Sequence, residues 1–231
     1  MAAEGDCTLG VLAFGDSITN GGGELQWGVA LQSWALWMAR GLGLPYTGYA
    51  TDGARARDVV ESQIPAFKQT SARPGARYQV GCLYIGVNDV RAGDFALPAF
   101  ERDFELALRF IADRCERMLT VLIPHDLGRP RAAAKVAEAN GAIERLASGS
   151  GTLVVDLRAL RARNLVMADR VHPTAFGQIA IAERALKVLA RDGLPTRVRP
   201  SSLIAWETTW WGRLRGDATY AYRYLKERWT E

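Results

Sequence analysis

A serine near the start of the chain and a histidine near its end have the neighbours that nucleophilic catalysis requires. Ser17 stands in the tetrad Gly15-Asp16-Ser17-Ile18, directly after a short apolar run. His172 lies three residues after Asp169 in the run Asp169-Arg170-Val171-His172-Pro173. A serine hydroxyl is a weak nucleophile until a base takes its proton and a third group orients that base. Together these residues suggest a serine hydrolase.

The sequence contains two histidines, so the choice of base has one alternative. His125 also has an acid beside it, Asp126, and follows an apolar run. Adjacent side chains usually point in different directions, whereas a three-residue turn can bring the Asp169 carboxylate back onto the His172 imidazole. We therefore favour His172 as the base and expect His125 at the rim of a crevice. Asp156 is a rival third group, but its place after an apolar run favours a helix cap for the next segment.

Composition and cysteine spacing narrow the class of protein. The chain has 231 residues, of which 48% are hydrophobic, enough for one large globular domain or a domain with an appendage. Residues 1–8 contain two acids and no apolar stretch, and no later run matches a membrane span, so we expect a cytoplasmic protein. Cys7, Cys82 and Cys115 are too widely spaced to indicate a disulfide framework or a zinc site. We expect no metal and no cofactor, with Cys82 buried in a strand and Cys115 on the apolar face of a helix.

Basic charge is concentrated at the C-terminal end of the chain. The net charge is +4, and residues 184–231 contain ten Lys or Arg against five acids, which leaves nineteen against twenty before them. A protein that tracks phosphates normally carries a basic patch or a recognition motif in its main body. We therefore expect no nucleic-acid partner.

Short apolar runs rich in Val, Ile and Leu alternate with segments of helical period, a pattern typical of repeated βα units. The predicted strands are residues 9–14, 46–50, 79–85, 119–124 and 152–156. The predicted helices are residues 27–42, 55–69, 98–117, 131–148 and 175–191. The clearest helix carries an apolar stripe with spacings of four, four, three and four residues, formed by Phe100, Phe104, Leu108, Ile111 and Cys115.

Five parallel strands with right-handed crossovers favour a doubly wound, flavodoxin-like sheet of order 2-1-3-4-5. In that order the loops after the first three strands meet at one edge of the sheet. These loops contain Ser17, Gly53 and Asn88. Acyl transfer needs hydrogen-bond donors for the developing oxyanion, and the backbone N–H groups of Ser17 and Gly53 and the amide of Asn88 can supply three.

Four sequence blocks resemble, in order, those of the SGNH hydrolases, also called the GDSL esterase and lipase family. They are Gly15-Asp16-Ser17-Ile18-Thr19, Gly53, Gly86-Val87-Asn88-Asp89 and Asp169-Arg170-Val171-His172-Pro173. The resemblance covers about residues 9 to 192 and implies a three-layer α/β/α sandwich with a five-stranded parallel sheet. It also implies that Ser17 is the nucleophile, His172 the general base and then acid, and Asp169 its partner, with Ser17, Gly53 and Asn88 forming the oxyanion hole.

We therefore predict a serine esterase that acts on a small acyl ester through an acyl-serine intermediate. The alternative is a flavodoxin-like protein in which residues 15–23 bind a phosphate or nucleotide without hydrolase activity. That alternative gives no reason for Asp169 and His172, and the Gly-Lys-Ser/Thr pattern of a P-loop is absent from the sequence.

The hydrolase resemblance does not extend into the last part of the chain. We divide the sequence into a hydrolase-like domain, residues 1–195, and a helical extension, residues 196–231. The extension contains four tryptophans and three tyrosines and reads as two short helices, residues 201–214 and 217–229. Because so many aromatic side chains are costly to leave in water, we expect the extension to pack on the body or on a second copy of the chain. Contact with a membrane surface is the alternative.

Overall fold

The computed structural model describes residues 8–26, 29–70, 76–126, 132–162, 164–204 and 210–229. Within this part of the chain, five strands form one sheet of order β2-β1-β3-β4-β5, and every neighbouring pair is parallel. The strands are β1 (Val11–Gly15), β2 (Tyr46–Gly48), β3 (Tyr78–Tyr84), β4 (Cys115–Val121) and β5 (Leu153–Val155). The predicted fold class and strand order are confirmed.

Helices occupy the connections between the strands and the end of the chain. They are α1 (Ser17–Asn20), α2 (Trp34–Leu42), α3 (Ala56–Asp58), α4 (Ile64–Thr70), α5 (Val87–Arg91), α6 (Leu97–Ala112), α7 (Ala133–Ser150), α8 (Ala175–Arg191) and α9 (Trp210–Trp229). A π-helical segment, Val59–Gln63, joins α3 to α4, and a 3-10 helix spans Pro200–Leu203. Among the described residues, no helix is both long and apolar enough to cross a membrane.

The sheet lies between two layers of helices. Phe14 of β1 and Tyr84 of β3 project from opposite faces, because the register of the two strands offsets them by one residue. Phe14 contacts Phe67 of α4 and Phe110 of α6, with ring centroids 6.1 and 6.5 Å apart. Tyr84 contacts Trp34 of α2 at 6.4 Å. All five residues of β1 are buried, as expected for a strand covered on both faces.

One helix is shorter in the structure than the sequence predicts. The helix predicted at 98–117 ends at Ala112, and Cys115 is the first residue of β4 rather than part of the helical stripe. Cys115 pairs with Tyr78 in the sheet, where it is also buried. A buried residue fits a helical or a strand period equally well, so the apolar pattern could not mark this boundary.

Local contacts explain where the other helices begin and end. α2 begins at Trp34 because the side chain of Ser33 accepts a hydrogen bond from Ala35 N–H, whereas the predicted start at residue 27 lies outside the described residues. The helix predicted at 55–69 is the continuous run α3, π-helical segment and α4. The helix predicted at 175–191 coincides with α8, which Thr174 caps by accepting Gly177 N–H.

The C-terminal extension differs from its prediction. α9 continues through residues 215 and 216, where the sequence suggested a break between two short helices. Gly216 does not end the helix, since a glycine inside a helix costs only about 1 kcal/mol relative to alanine. Residues 205–209, within the first predicted helix, lie outside the described residues. The proposed boundary between residues 195 and 196 stays a prediction.

Candidate active site

The predicted site residues gather at the carboxyl edge of the sheet. Ser17 is the first residue of α1, two positions after β1 ends. Beside it, the loop after β2 continues along β1, because Thr51 N–H donates to the Gly15 carbonyl at 3.2 Å. Asn88 lies in α5, directly after β3 on the other side of β1. Ligands of open α/β sheets bind at such an edge.

Ser17, His172 and Asp169 form an unbroken hydrogen-bonded chain. Ser17 Oγ lies 2.9 Å from His172 Nε2, although 155 positions separate the two residues in sequence. On the other side of the ring, His172 Nδ1 lies 2.6 Å from Asp169 Oδ2. The side chains of His172 and Asp169 are 30% and 28% exposed, so the chain is open to a substrate at the surface. This arrangement can remove a proton from Ser17 Oγ and hold the resulting imidazolium.

A tight turn sets the position of His172. The Oδ1 atom of Asp169 accepts hydrogen bonds from the N–H groups of Val171 and His172 at 2.9 and 3.0 Å. Arg170, inside the turn, has a φ of +54°, a left-handed conformation that non-glycine residues seldom adopt. The turn leaves Asp169 Oδ2 free to face the imidazole.

The contacts within this turn shift the pKa values of its two titratable groups in opposite directions. The hydrogen bond with Asp169 raises the pKa of His172 above 6.5, with burial opposing it and the charges of Asp169 and Asp16 adding to it. Burial raises the pKa of Asp169, but its hydrogen bonds with His172 and the backbone outweigh burial and leave it below 3.8. The pair is therefore biased towards an ionised carboxylate beside a basic imidazole.

Asp16, directly before Ser17, is the N-cap residue of α1. Its side chain is fully buried, and Oδ1 caps α1 by accepting Ile18 N–H at 2.9 Å. Oδ2 is buried with no hydrogen-bond partner among the described residues. Burial raises the pKa of Asp16 to about 7, against the bond to Ile18 and the nearby charge of His172. Asp16 belongs to the motif Gly15-Asp16-Ser17-Ile18, whose sequence indicates no separate role for it.

Two buried glutamines, neither of them predicted from the sequence, hold the loops of the site in place by hydrogen bonds. Gln178 of α8 accepts Trp34 N–H at 2.8 Å and donates to the carbonyls of Ile18 and Gly22 at 3.0 and 2.9 Å. Gln63 makes a reciprocal pair of bonds with the backbone of Gly15, at 3.1 and 2.7 Å. The available signal was a glutamine at a core position of an amphipathic helix, where a buried amide requires partners.

The remaining oxyanion candidates lie on neighbouring loops. Asn88 Nδ2 donates to the carbonyl of Ala54 at 3.0 Å, which orients the amide and leaves its second N–H available. Gly53, one residue before Ala54, has a φ of +75°, and no atom lies within 4 Å of where a Cβ would stand. The structure thus joins these two loops, with an open space beside Gly53.

The rival residues lie outside this hydrogen-bonded series. His125 is exposed, and the hydrogen bond of Ser17 Oγ goes to His172. Asp126 faces Arg170, with 3.8 Å between Asp126 Oδ1 and Arg170 Nη1.

The helix-cap interpretation of Asp156 is wrong, because its Oδ1 accepts Arg158 N–H in a turn and no helix follows β5 directly.

The cysteines and acids show no metal centre in the described part of the chain. No group of three or more His, Cys, Asp or Glu residues there could hold a metal ion. Cys82 and Cys115 are both buried thiols, and burial raises their pKa values, that of Cys115 to about 12. Cys7 lies outside the described residues.

In this structure a serine, a histidine and an aspartate are hydrogen-bonded in series at the carboxyl edge of a parallel α/β/α sandwich. This arrangement is typical of a serine hydrolase. The chain belongs to the GDSL-like lipase/acylhydrolase family, whose model matches residues 13–179. The family resemblance of the sequence blocks is thereby confirmed. The protein is an ester hydrolase by family, which argues against the alternative of a phosphate-binding protein without hydrolase activity.

Solved structures share the fold at low sequence identity. A member of the lipolytic G-D-S-L family from Veillonella parvula is 21% identical, with a TM-score of 0.63 over 80% of this chain and 100% of that one. The hydrolase LAE5 from the metagenome of Lake Arreo is 20% identical, with a TM-score of 0.60 over 79% and 95%. The acetylxylan esterase Axe2 of Geobacillus stearothermophilus is 18% identical, with a TM-score of 0.59 over 78% and 94%. No curated protein matches the chain significantly.

Proposed function

We propose that the protein hydrolyses carboxylic esters through a covalent acyl-serine intermediate, with Ser17 as nucleophile, His172 as general base and acid, and Asp169 as the group that orients the imidazole. The observation that carries this proposal is the hydrogen-bonded series from Ser17 Oγ through His172 to Asp169 Oδ2, at 2.9 and 2.6 Å. Two solved structures of Axe2 are described as catalytic mutants, one with a serine and one with an aspartate replaced by alanine.

In the first half of the reaction, Ser17 Oγ attacks the ester carbonyl while its proton passes to His172 Nε2. Because Asp169 accepts a hydrogen bond from Nδ1–H, the ring proton stays on Nδ1 and Nε2 is free to accept the proton of Ser17. The tetrahedral intermediate collapses when His172 returns this proton to the leaving alcohol. The acyl group then remains on Ser17.

In the second half, water replaces the alcohol. His172 takes a proton from the water as its oxygen attacks the acyl carbon. The proton then passes to Ser17 Oγ as the bond to the acyl group breaks. The products are the carboxylic acid and the free enzyme.

The negative charge of both intermediates requires donors, which we assign to Ser17 N–H, Gly53 N–H and Asn88 Nδ2. The N–H at the first position of α1 is not used within the helix. Asn88 is held ready by its bond to Ala54, so the site need not reorganise when charge develops. Removing one such donor generally costs about 10² to 10³ in kcat.

A Ser17→Ala variant tests the proposal directly. We expect its turnover of p-nitrophenyl acetate to fall on the order of 10⁶-fold, because no other group supplies the nucleophile. A fluorophosphonate probe should add to the wild-type protein and not to the variant, as measured by intact mass. Ser202→Ala, at an exposed serine of the 3-10 helix, is the matched control and should behave as the wild type.

Near-normal turnover by a folded Ser17→Ala protein, checked by circular dichroism, would reject the assignment, as would a probe adduct at another residue. The same assay extends to substrate class. Acetylated sugars, short acyl esters, thioesters and lysophospholipids all contain an acyl carbon that Ser17 could attack. An acyl-chain-length series with the purified protein ranks them by kcat/KM.

A further inference from the structure

Helix α9 presents an apolar face to solvent. Five of its large side chains are between 50% and 70% exposed: Trp210, Trp211, Leu214, Tyr222 and Leu225. At about 100° per residue, these five positions fall within roughly 120° of the helix circumference. Aromatic and aliphatic area of this extent is seldom left unpartnered on a monomeric protein. We call this surface the α9 apolar face.

The opposite side of α9 faces the body of the protein. Thr219, Tyr220 and Tyr224 are less exposed than the residues of the α9 apolar face. Arg223, on the same side, pairs with Glu24, with 2.6 Å between Nη1 and Oε1. This contact fixes which way the helix is turned, so the α9 apolar face points away from the body.

The charge on α9 identifies the kind of surface that would cover this face. Residues 210–229 contain five Lys or Arg and two acids. Arg215 and Lys226 lie at one border of the α9 apolar face, within about 40° of Tyr222 on the helix. Two copies of this helix would bring like charges together, whereas an anionic surface would attract the basic residues at this border.

We propose that the α9 apolar face binds peripherally to the surface of an anionic lipid bilayer. Tryptophan and tyrosine are favoured at the level of the headgroups, the leucines can enter the acyl boundary, and basic side chains contact anionic headgroups. Each basic residue near such a surface strengthens binding about fivefold. The proposal is independent of the catalytic assignment.

Bilayer binding would bring the candidate active site close to the membrane. Glu24, the partner of Arg223, lies in the loop that follows α1, and its carbonyl accepts Ala175 N–H at 2.9 Å. Two residues earlier, Gly22 N–H donates to the Ser17 carbonyl at 2.6 Å. The loop beside the nucleophile therefore lies on the Arg223 side of α9, with the helix between this loop and the α9 apolar face.

Co-sedimentation of the full chain with vesicles tests the proposal. We expect binding to vesicles of phosphatidylglycerol and phosphatidylcholine, a blue shift of tryptophan fluorescence, and little binding to pure phosphatidylcholine. Raising the salt concentration should weaken the binding, because the charge attraction is screened. The double variants Trp210→Ser/Trp211→Ser and Arg215→Glu/Lys226→Glu should each bind at least about tenfold more weakly.

Two leucines of equal exposure provide the matched control. Leu214 of α9 and Leu106 of α6 are both 50% exposed. Leu214→Ser should weaken vesicle binding, whereas Leu106→Ser should leave it unchanged. Ser17→Ala should bind like the wild type, so a failure of the catalytic assignment is distinguishable from a failure of this one.

Three results would overturn the proposal. The first is no binding to anionic vesicles at low salt. The second is equal binding by the wild type and the α9 variants. The third is a dimer, seen by sedimentation equilibrium, that Trp210→Ser/Trp211→Ser converts to monomer, since a second copy would then be the occupant of this face.

Discussion

Asp169 uses its two carboxylate oxygens for different purposes. Oδ1 closes the turn by accepting two backbone N–H groups, and Oδ2 bonds to the imidazole. An asparagine could keep the first function while losing the second, because an amide presents one oxygen and one nitrogen. The two functions are therefore separable by a single substitution.

We expect Asp169→Asn to keep the fold and lower kcat about 10⁴-fold at neutral pH, because the amide nitrogen facing Nδ1 favours the tautomer that cannot accept the serine proton. The base acts when neutral, so activity falls as pH drops through the pKa of His172. Asp169 is the main cause that raises this pKa. The acidic inflection of kcat/KM should therefore move to lower pH in the variant.

A pH profile of kcat/KM for p-nitrophenyl acetate measures both effects. Asp126→Asn is the control, because Asp126 is an exposed carboxylate that faces Arg170. An Asp169→Asn enzyme with wild-type rate and inflection would show that the carboxylate does not act on the imidazole.

At the scale of elements, α8 connects the two halves of the candidate site. The turn that carries His172 leads directly into α8, and Gln178, one turn into that helix, holds the α1 turn and the start of α2. Gln63 holds the end of β1 in the same manner from the π-helical segment. π-helical turns recur at functional sites, where they aim a side chain that a regular helix would place elsewhere.

Replacing Gln178 with methionine should lower both stability and turnover. The substitution leaves one N–H and two carbonyl groups in a buried setting without their partner, at a cost of about 1 to 3 kcal/mol for each group that finds no other. Ser17 would also lose its fixed position relative to His172, and a displacement of about 1 Å can cost roughly 10²-fold in rate.

Chemical denaturation and kinetics at 15 °C measure the two effects separately. A positioning role predicts a lower kcat with little change in KM while the circular dichroism spectrum is still native. Gln69→Met, at an exposed glutamine of α4, is the control. A folded Gln178→Met enzyme with unchanged kcat would limit this residue to a structural role.

At the scale of the whole molecule, burial of acids at the carboxyl edge controls how stability depends on pH. Burial raises the pKa of Asp16 to about 7 and that of Asp89 to about 6. Asp89 accepts Ala56 N–H with both oxygens at 3.2 Å, so it joins α5 to the start of α3. A group with a raised carboxyl pKa binds protons more strongly in the folded state than in the unfolded chain.

We expect the free energy of unfolding to decrease as pH rises from about 4 to 8. For Asp16 and Asp89, stability is lost between the ordinary value of 3.8 and the raised folded pKa. His172 acts in the same direction, because its raised pKa gives stability that disappears as pH rises through it. Asp169 acts in the opposite sense, but its stabilisation is lost only below 3.8.

Urea denaturation at a series of pH values measures this profile. Asp16→Asn should flatten it by a few kcal/mol, because burial raises the pKa of Asp16 from 3.8 to about 7 in the folded state. Asp126→Asn should leave the profile unchanged. Stability that rises from pH 5 to pH 8 would contradict the prediction.

Much of the fold could be predicted because hydrophobic period and strand order are local or topological properties. The run of β1 is apolar throughout, and the period of α8 fixed its bounds at 175 and 191. The boundary near Cys115 could not be predicted in this way, since burial alone does not distinguish the end of a helix from the start of a strand. The exposed face of α9 was also hidden, because aromatic content does not indicate which side of a helix meets the body.

The sequence by itself determined the motif blocks, the residue types able to do acyl chemistry and the topology that brings their loops to one edge. Only the tertiary structure decided that Ser17 and His172 lie 2.9 Å apart, that Gln178 links two elements across 160 positions, and that Asp16 is fully buried. The physical reason is that motifs and hydrophobic periods are properties of the linear sequence. Burial, hydrogen-bond partners and pKa depend on neighbours that come together only when it folds.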